Sequence, residues 1–96
     1  MRIRNFTHKG LRRLYLIDEA KAIPPGSADK LRNMLAYLDA MRSADELQKL
    51  PSWKPHLLTG ARKGTWSLQV NRNWRLTFRV DPSEGEILDM NLEDYH

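Results

Sequence analysis

Cysteine is missing from all 96 residues of the chain. Its absence removes a disulfide framework, a thiolate metal site and a cysteine nucleophile together. Long apolar runs are missing too. Nowhere do about 18 apolar residues follow one another, and the basic opening from Met1 to Gly10 has no apolar segment after it of the kind a secretion signal needs. A cytoplasmic protein with no membrane association is the expectation. Histidine is scarce and scattered: His8, His56 and His96 make no His-x-x-x-His pattern, and no Asp-x-Asp accompanies them, so no metal is expected. Gly60-Ala61-Arg62-Lys63-Gly64 has neither the length nor the order of a phosphate-binding P-loop, and no cofactor is expected.

Acid is absent over one long window. Between Leu47 and Val80 there is no Asp or Glu, while Lys49, Lys54, Arg62, Lys63, Arg72, Arg75 and Arg79 all fall there. Residues 1–80 hold all 16 Lys and Arg against six acids, and residues 81–96 hold six acids with no Lys or Arg. A net charge of +4 therefore conceals a strongly basic body and an acidic end. Such a field attracts phosphate-rich ligands, whereas a merely solvated basic surface would only keep the chain soluble. The arrangement of the residues has to decide.

Trp66, Leu68 and Val70, then Trp74, Leu76, Phe78 and Val80, are apolar at every second position, the period of a strand with one buried face. Asn71-Arg72-Asn73 interrupts them, and because Asn tolerates positive φ a tight hairpin turn is expected there. The opposite face carries Ser67, Gln69, Arg75, Thr77 and Arg79, so the sheet can pack on helices behind and meet an anion in front.

Around this pair the other elements fall into order. Arg2 to Phe6 reads as a short strand. From Thr7 as N-cap, Leu11, Leu14, Tyr15 and Ile17 recur at helical spacing, and Ile23-Pro24-Pro25-Gly26 stops that helix. Ser27 caps a second helix whose Leu31, Met34, Leu35, Leu38 and Met41 form one apolar stripe. Ser43-Ala44-Asp45-Glu46 fits a capping box, Pro51 to Gly64 a loop or short strand, and Asp81-Pro82-Ser83-Glu84-Gly85 a second turn. Leu88, Met90 and Leu92 then alternate with Ile87, Asp89 and Asn91 as a last strand. The expected architecture is a single α+β domain over residues 1–96, with an antiparallel meander backed by two N-terminal helices.

Cleaving RNA without a metal requires a group to deprotonate the ribose 2′-OH, a donor to the leaving oxygen, and cations for the charge of the transition state. His56 and His96 suit the proton transfers because imidazole titrates near neutrality. Arg75 and Arg79 project from the polar strand face, and Lys54, Arg62 and Lys63 from the loop before it, as phosphate contacts. Tyr95 can donate a hydrogen bond or stack on a base, and Asp94 can orient a histidine or act as base. Asp89 or Glu93 on the next strand could instead pair with Arg75 or Arg79.

These residues also match a known family pattern. Phe6-Thr7-His8-Lys9-Gly10-Leu11, the run from His56 to Ser67, Val70-Asn71-Arg72-Asn73-Trp74-Arg75-Leu76-Thr77-Phe78 and the terminal Glu93-Asp94-Tyr95-His96 resemble the HigB toxins of bacterial toxin–antitoxin pairs, in the RelE-like superfamily. The resemblance implies a curved antiparallel sheet on two helices and a ribosome-dependent endoribonuclease that cuts mRNA in the A site. It also implies a HigA-type helix-turn-helix antitoxin as partner, with the toxin monomeric when free and hetero-oligomeric in the complex. By position, His56, Arg75, Asp94, Tyr95 and His96 match the family's catalytic neighbourhood. One position departs: Thr59 stands where the family pattern has a lysine. Either Lys54, Arg62 or Lys63 takes over that cation's role, or activity is weaker, and a basic domain that binds ribosome or antitoxin without turnover is the alternative reading.

Overall fold

The computed structural model describes residues 1–95. A short strand β1 (Arg2–Ile3) leads into helices α1 (Lys9–Ile17) and α2 (Ala28–Ala40), and after short 3-10 turns come β2 (His56–Leu57), β3 (Thr65–Gln69), β4 (Trp74–Asp81) and β5 (Glu86–Asp94). One five-stranded sheet results, in the order β1-β5-β4-β3-β2. From β2 to β5 every pairing is antiparallel, as the hairpins require, but β1 joins β5 in parallel. The sheet is therefore mixed rather than wholly antiparallel. Both helices lie between β1 and the rest of the sheet in the chain, and a crossover of that length permits parallel pairing.

The helices cover the apolar face. Leu31, Met34, Leu35, Leu38 and Met41 are all buried, and they meet Leu68, Val70, Leu76 and Phe78 from the central strands in one core. Two helix boundaries differ from the sequence reading. His8 rather than Thr7 caps α1, its Nδ1 accepting from the Leu11 N–H at 3.0 Å. The helix also ends at Ile17, before Pro24, because Asp18 turns left-handed at φ 55° and closes the last turn. Ile17 is thereby left 65% exposed instead of joining the core.

The last strand is shifted in phase. Met90 and Leu92 are buried, as their alternation predicts, but the third inward residue is Ile87, not Leu88. Across from it Thr77 pairs with Asn91 and Arg79 with Leu88, so β5 spends one more residue than β4 over the same span. The extra residue is a β-bulge at Asp89, which adopts φ 56°. Asn5 holds it: its Nδ2 donates to Asp89 Oδ1 at 3.0 Å and its Oδ1 accepts the Asp89 N–H at 3.1 Å.

The central hairpin forms where expected but by another route. No residue from Asn71 to Asn73 has positive φ. Instead Asn71 Oδ1 accepts the N–H groups of Asn73 and Trp74 at 2.9 and 3.0 Å, an Asx-type turn, while its Nδ2 donates to the buried Ser27 Oγ at 3.0 Å. Ser27 stands at the N-cap of α2 but makes no side-chain cap bond to it, so its hydroxyl ties helix to hairpin instead.

Gly10 sits on α1 where that helix meets the following chain. A Cβ there would lie 2.6 Å from Ala22 Cβ and 3.0 Å from the Ala22 carbonyl oxygen. In an open helix Gly→Ala gains about 0.8–1 kcal/mol of propensity, but overpacking costs about 1–3 kcal/mol. Gly10→Ala should lower the urea midpoint at unchanged m-value; a raised midpoint would show that this contact relaxes freely.

Candidate functional site

Strand alternation puts Ser67 and Gln69 of β3, Arg75, Thr77 and Arg79 of β4, and Asn91 and Glu93 of β5 on the face away from the helices. Register then aligns them in rows. His56, Ser67, Thr77 and Asn91 run side by side across four strands, and Gln69, Arg75 and Glu93 make the next row, about 7 Å further along by strand rise. At the Arg75 end the face sinks into a concavity of about 220 Å³ that His56, Arg62, Arg75, Glu93, Asp94 and Tyr95 help to line. Ser67 and Thr77 form its floor and are buried.

Each side chain is held differently. Lys54 is left-handed at φ 47°, and its carbonyl oxygen turns back to within 3.1 Å of His56 Nδ1. A carbonyl only accepts, so this contact places a proton on Nδ1 and leaves the Nε2 lone pair of the neutral ring available as a base. The Arg75 guanidinium lies 3.9 Å from the centroid of the Tyr95 ring, and its Nη1 donates to the Asn71 carbonyl oxygen at 3.4 Å. The Tyr95 N–H donates to Asn73 O at 2.7 Å, which fastens the end of the described chain to the hairpin turn. Tyr95 remains 63% exposed. An exposed cation–π contact contributes about 0.5–1 kcal/mol, and a base stacking on an aromatic gains about 1–3 kcal/mol. A nucleobase can therefore displace the guanidinium from the ring and free it for phosphate.

Glu93 takes a partner that the sequence did not indicate. It pairs with neither Arg75 nor Arg79: Arg62 reaches across from the loop and binds it with two hydrogen bonds, at 2.9 and 2.5 Å, and the Thr77 hydroxyl donates to the same carboxylate. Asp89 is likewise taken by Asn5. The Arg62 hydrogen bonds pull the Glu93 pKa below the ordinary carboxylate range against its partial burial, with help from Thr77 and the Arg62 charge, and the Arg62 pKa rises in turn.

The expected site residues are thus only partly gathered. His56, Arg62, Arg75, Asp94 and Tyr95 line one concavity. Arg79 lines a neighbouring one, and Lys54 and Lys63 are exposed on the loop outside the first. Thr59 is exposed as well, at the start of the 3-10 turn Gly60–Arg62 that carries Arg62 inward. His96 lies outside the described residues. The sequence reading missed Glu93, Ser67 and Thr77 as parts of the site; their place on the polar strand face was the available signal.

Nearly the whole chain matches one family model. The model for the RelE-like toxin of the type II toxin–antitoxin system HigB spans residues 4–96. The chain belongs to the HigB-like toxin family. It is 36% identical over 94 residues to a Proteus vulgaris protein named endoribonuclease HigB, covering 98% of this chain and 99% of that one. The fold also resembles a chain in the crystal structure of the toxin–antitoxin complex RelBE2 from Mycobacterium tuberculosis, with a TM-score of 0.52 at 19% identity over 97% of this chain and 95% of that one. This HigB-like chain therefore has a RelE-like fold, and no helix among its described residues is long and apolar enough to cross a membrane.

A carboxylate whose pKa is lowered on folding stabilises the fold above its unfolded pKa, about 4.3 for Glu, and that contribution is lost as pH falls through the folded value. Urea midpoints followed downward from neutral pH should accordingly fall less steeply in Glu93→Gln than in the unsubstituted chain, from a lower starting value because Arg62 loses its partner. Parallel curves would mean that the bridge contributes nothing to the acid limb.

Proposed function

We propose that this HigB-like toxin is a ribosome-dependent endoribonuclease that cuts mRNA in the A site by metal-independent attack of the 2′-oxygen on the adjacent phosphate. The observation that carries the reading is the joint lining of one concavity by an imidazole, a guanidinium and a phenol: His56, Arg75 and Tyr95. His56 takes the 2′-OH proton through Nε2, and Arg75 binds the phosphate whose charge grows in the transition state. Tyr95 offers a ring for the base, while His96, with Asp94 to orient it, gives a proton to the 5′-oxygen that leaves as its bond to phosphorus breaks. Lys54, Lys63 and Arg79 guide the RNA backbone from outside the concavity. Arg62 supplies the cation missing at Thr59 once phosphate draws it from Glu93; its guanidinium is half exposed in the bridge, where an incoming phosphate can meet it.

The protein acts in the cytoplasm, where ribosomes supply alignment and any missing acid–base group. A HigA-type helix-turn-helix antitoxin is its partner, binding a toxin that is monomeric when free. The competing reading, a ribosome- or antitoxin-binding domain without turnover, draws on Thr59 and on the engagement of Arg62 by Glu93. Salt-sensitive ribosome binding is common to both.

Translation in vitro of a defined mRNA, with new 5′ ends mapped by primer extension, separates them. The unsubstituted protein should produce cuts inside codons only when ribosomes are present. Arg75→Ala and a chain lacking His96 should produce none while remaining folded, and His56→Ala should cut about 10²–10⁴-fold more slowly. Continued translation without new ends, from folded protein that binds ribosomes, would favour the binding-only reading.

A further inference from the structure

Beyond the Arg62–Glu93 bridge the polar sheet face opens into a second basin of about 430 Å³. Arg62, Thr77 and Glu93 line both concavities, so the bridge forms their common wall. On the far side stand Thr65, Arg79 and Asn91, with Thr65 and Arg79 paired across β3 and β4. Arg79 has no ion pair among the described residues, and neither Thr65 nor Asn91 makes a side-chain hydrogen bond among them. The acids of the basin are already engaged, Glu93 by Arg62 and Asp89 by Asn5. What remains open is one cation beside a hydroxyl and an amide that can both donate and accept.

Arg75 and Arg79 are four residues apart on one strand, which sets their Cα atoms about 13 Å apart. They line separate concavities, Arg75 against the Tyr95 ring and Arg79 beyond the bridge, so successive phosphates of linked nucleotides suit them better than one shared phosphate. Resting on the RNA reading above, we infer that this basin is a second nucleotide subsite of the same groove, holding a nucleotide that flanks the one at Arg75 and Tyr95. Arg79 binds its phosphate, and Thr65 and Asn91 hydrogen-bond its sugar or base edge. The RNA passes over the bridge, where its phosphate competes with Glu93 for Arg62. A groove of this kind takes single-stranded RNA by backbone charge and exposed bases.

The test uses the full ¹⁵N-labelled chain titrated with 2′-O-methyl oligonucleotides, which cannot be cleaved. A tetranucleotide should shift the signals of Thr65, Arg79 and Asn91 together with those of His56, Arg75 and Tyr95, with one apparent Kd that is tighter than for a mononucleotide. Arg79→Ala should weaken tetranucleotide binding and reduce the slope of log K against log salt by about 0.7, one single-strand phosphate contact. Asn91→Ala should weaken binding and leave the slope unchanged. If the tetranucleotide moves only the His56, Arg75 and Tyr95 signals, and neither variant alters its Kd, the second subsite is overturned while the RNA reading stands. Should neither set move at millimolar oligonucleotide, the second subsite is overturned as well, and the cutting of mRNA on ribosomes decides the RNA reading separately.

Discussion

One extra residue in β5 sets the phase of everything after it. Because a strand alternates faces with period two, a one-residue slip exchanges inside for outside. The bulge at Asp89 uses such a slip to bury Ile87 on one side and Met90 with Leu92 on the other. The same shift presents Asn91 and Glu93 on the polar face, beside Thr77 and Arg75. A left-handed aspartate is an unfavourable backbone state, and Asn5, reaching from beyond β1 with both ends of its amide, makes it tolerable. Core and groove thus depend on the seam between the two ends of the chain, where the Met90 N–H also donates to the Asn5 carbonyl and the Thr7 N–H to the Met90 carbonyl.

The groove is governed by an acid in basic surroundings. Glu93 collects Arg62 from the loop and Thr77 from β4, and so fixes where the loop lies against the sheet. It also engages one cation of the basic loop in a two-bond pair. Arg75 is restrained in a similar way by the Tyr95 ring. Both guanidiniums are placed by partners within the chain, so on the proposed reading the positions for phosphate are set before the ligand enters.

Much of this was legible from period and punctuation. The two-faced hairpin, the α2 stripe and the Ser43 to Glu46 capping box follow from local rules, and the structure agrees at each. The parallel pairing of β1 was not legible, since five residues carry no register. Nor was the bulge, because alternation alone favoured Leu88 over Ile87, and the bonds that hold the other phase come from residues 4–7 at the far end of the chain. At the site the residue types were readable, but the choice between Arg62 and Arg75 as partner of Glu93 was not. Strand register puts Arg75 beside Glu93, yet the loop delivers Arg62.

His56 is mounted on the edge strand, and β2 holds β3 by only two residue pairs. Arg75 stands on β4, paired along its length on both sides. Local opening costs least where few contacts must break, so the imidazole can leave the groove while the guanidinium stays in place. The assembled groove is then one member of an equilibrium, and a ligand that touches both residues draws the edge closed. In the proposed reaction, proton transfer and phosphate binding are in that sense mounted on parts of the sheet with unequal rigidity, and RNA touching both is what would make them act as one.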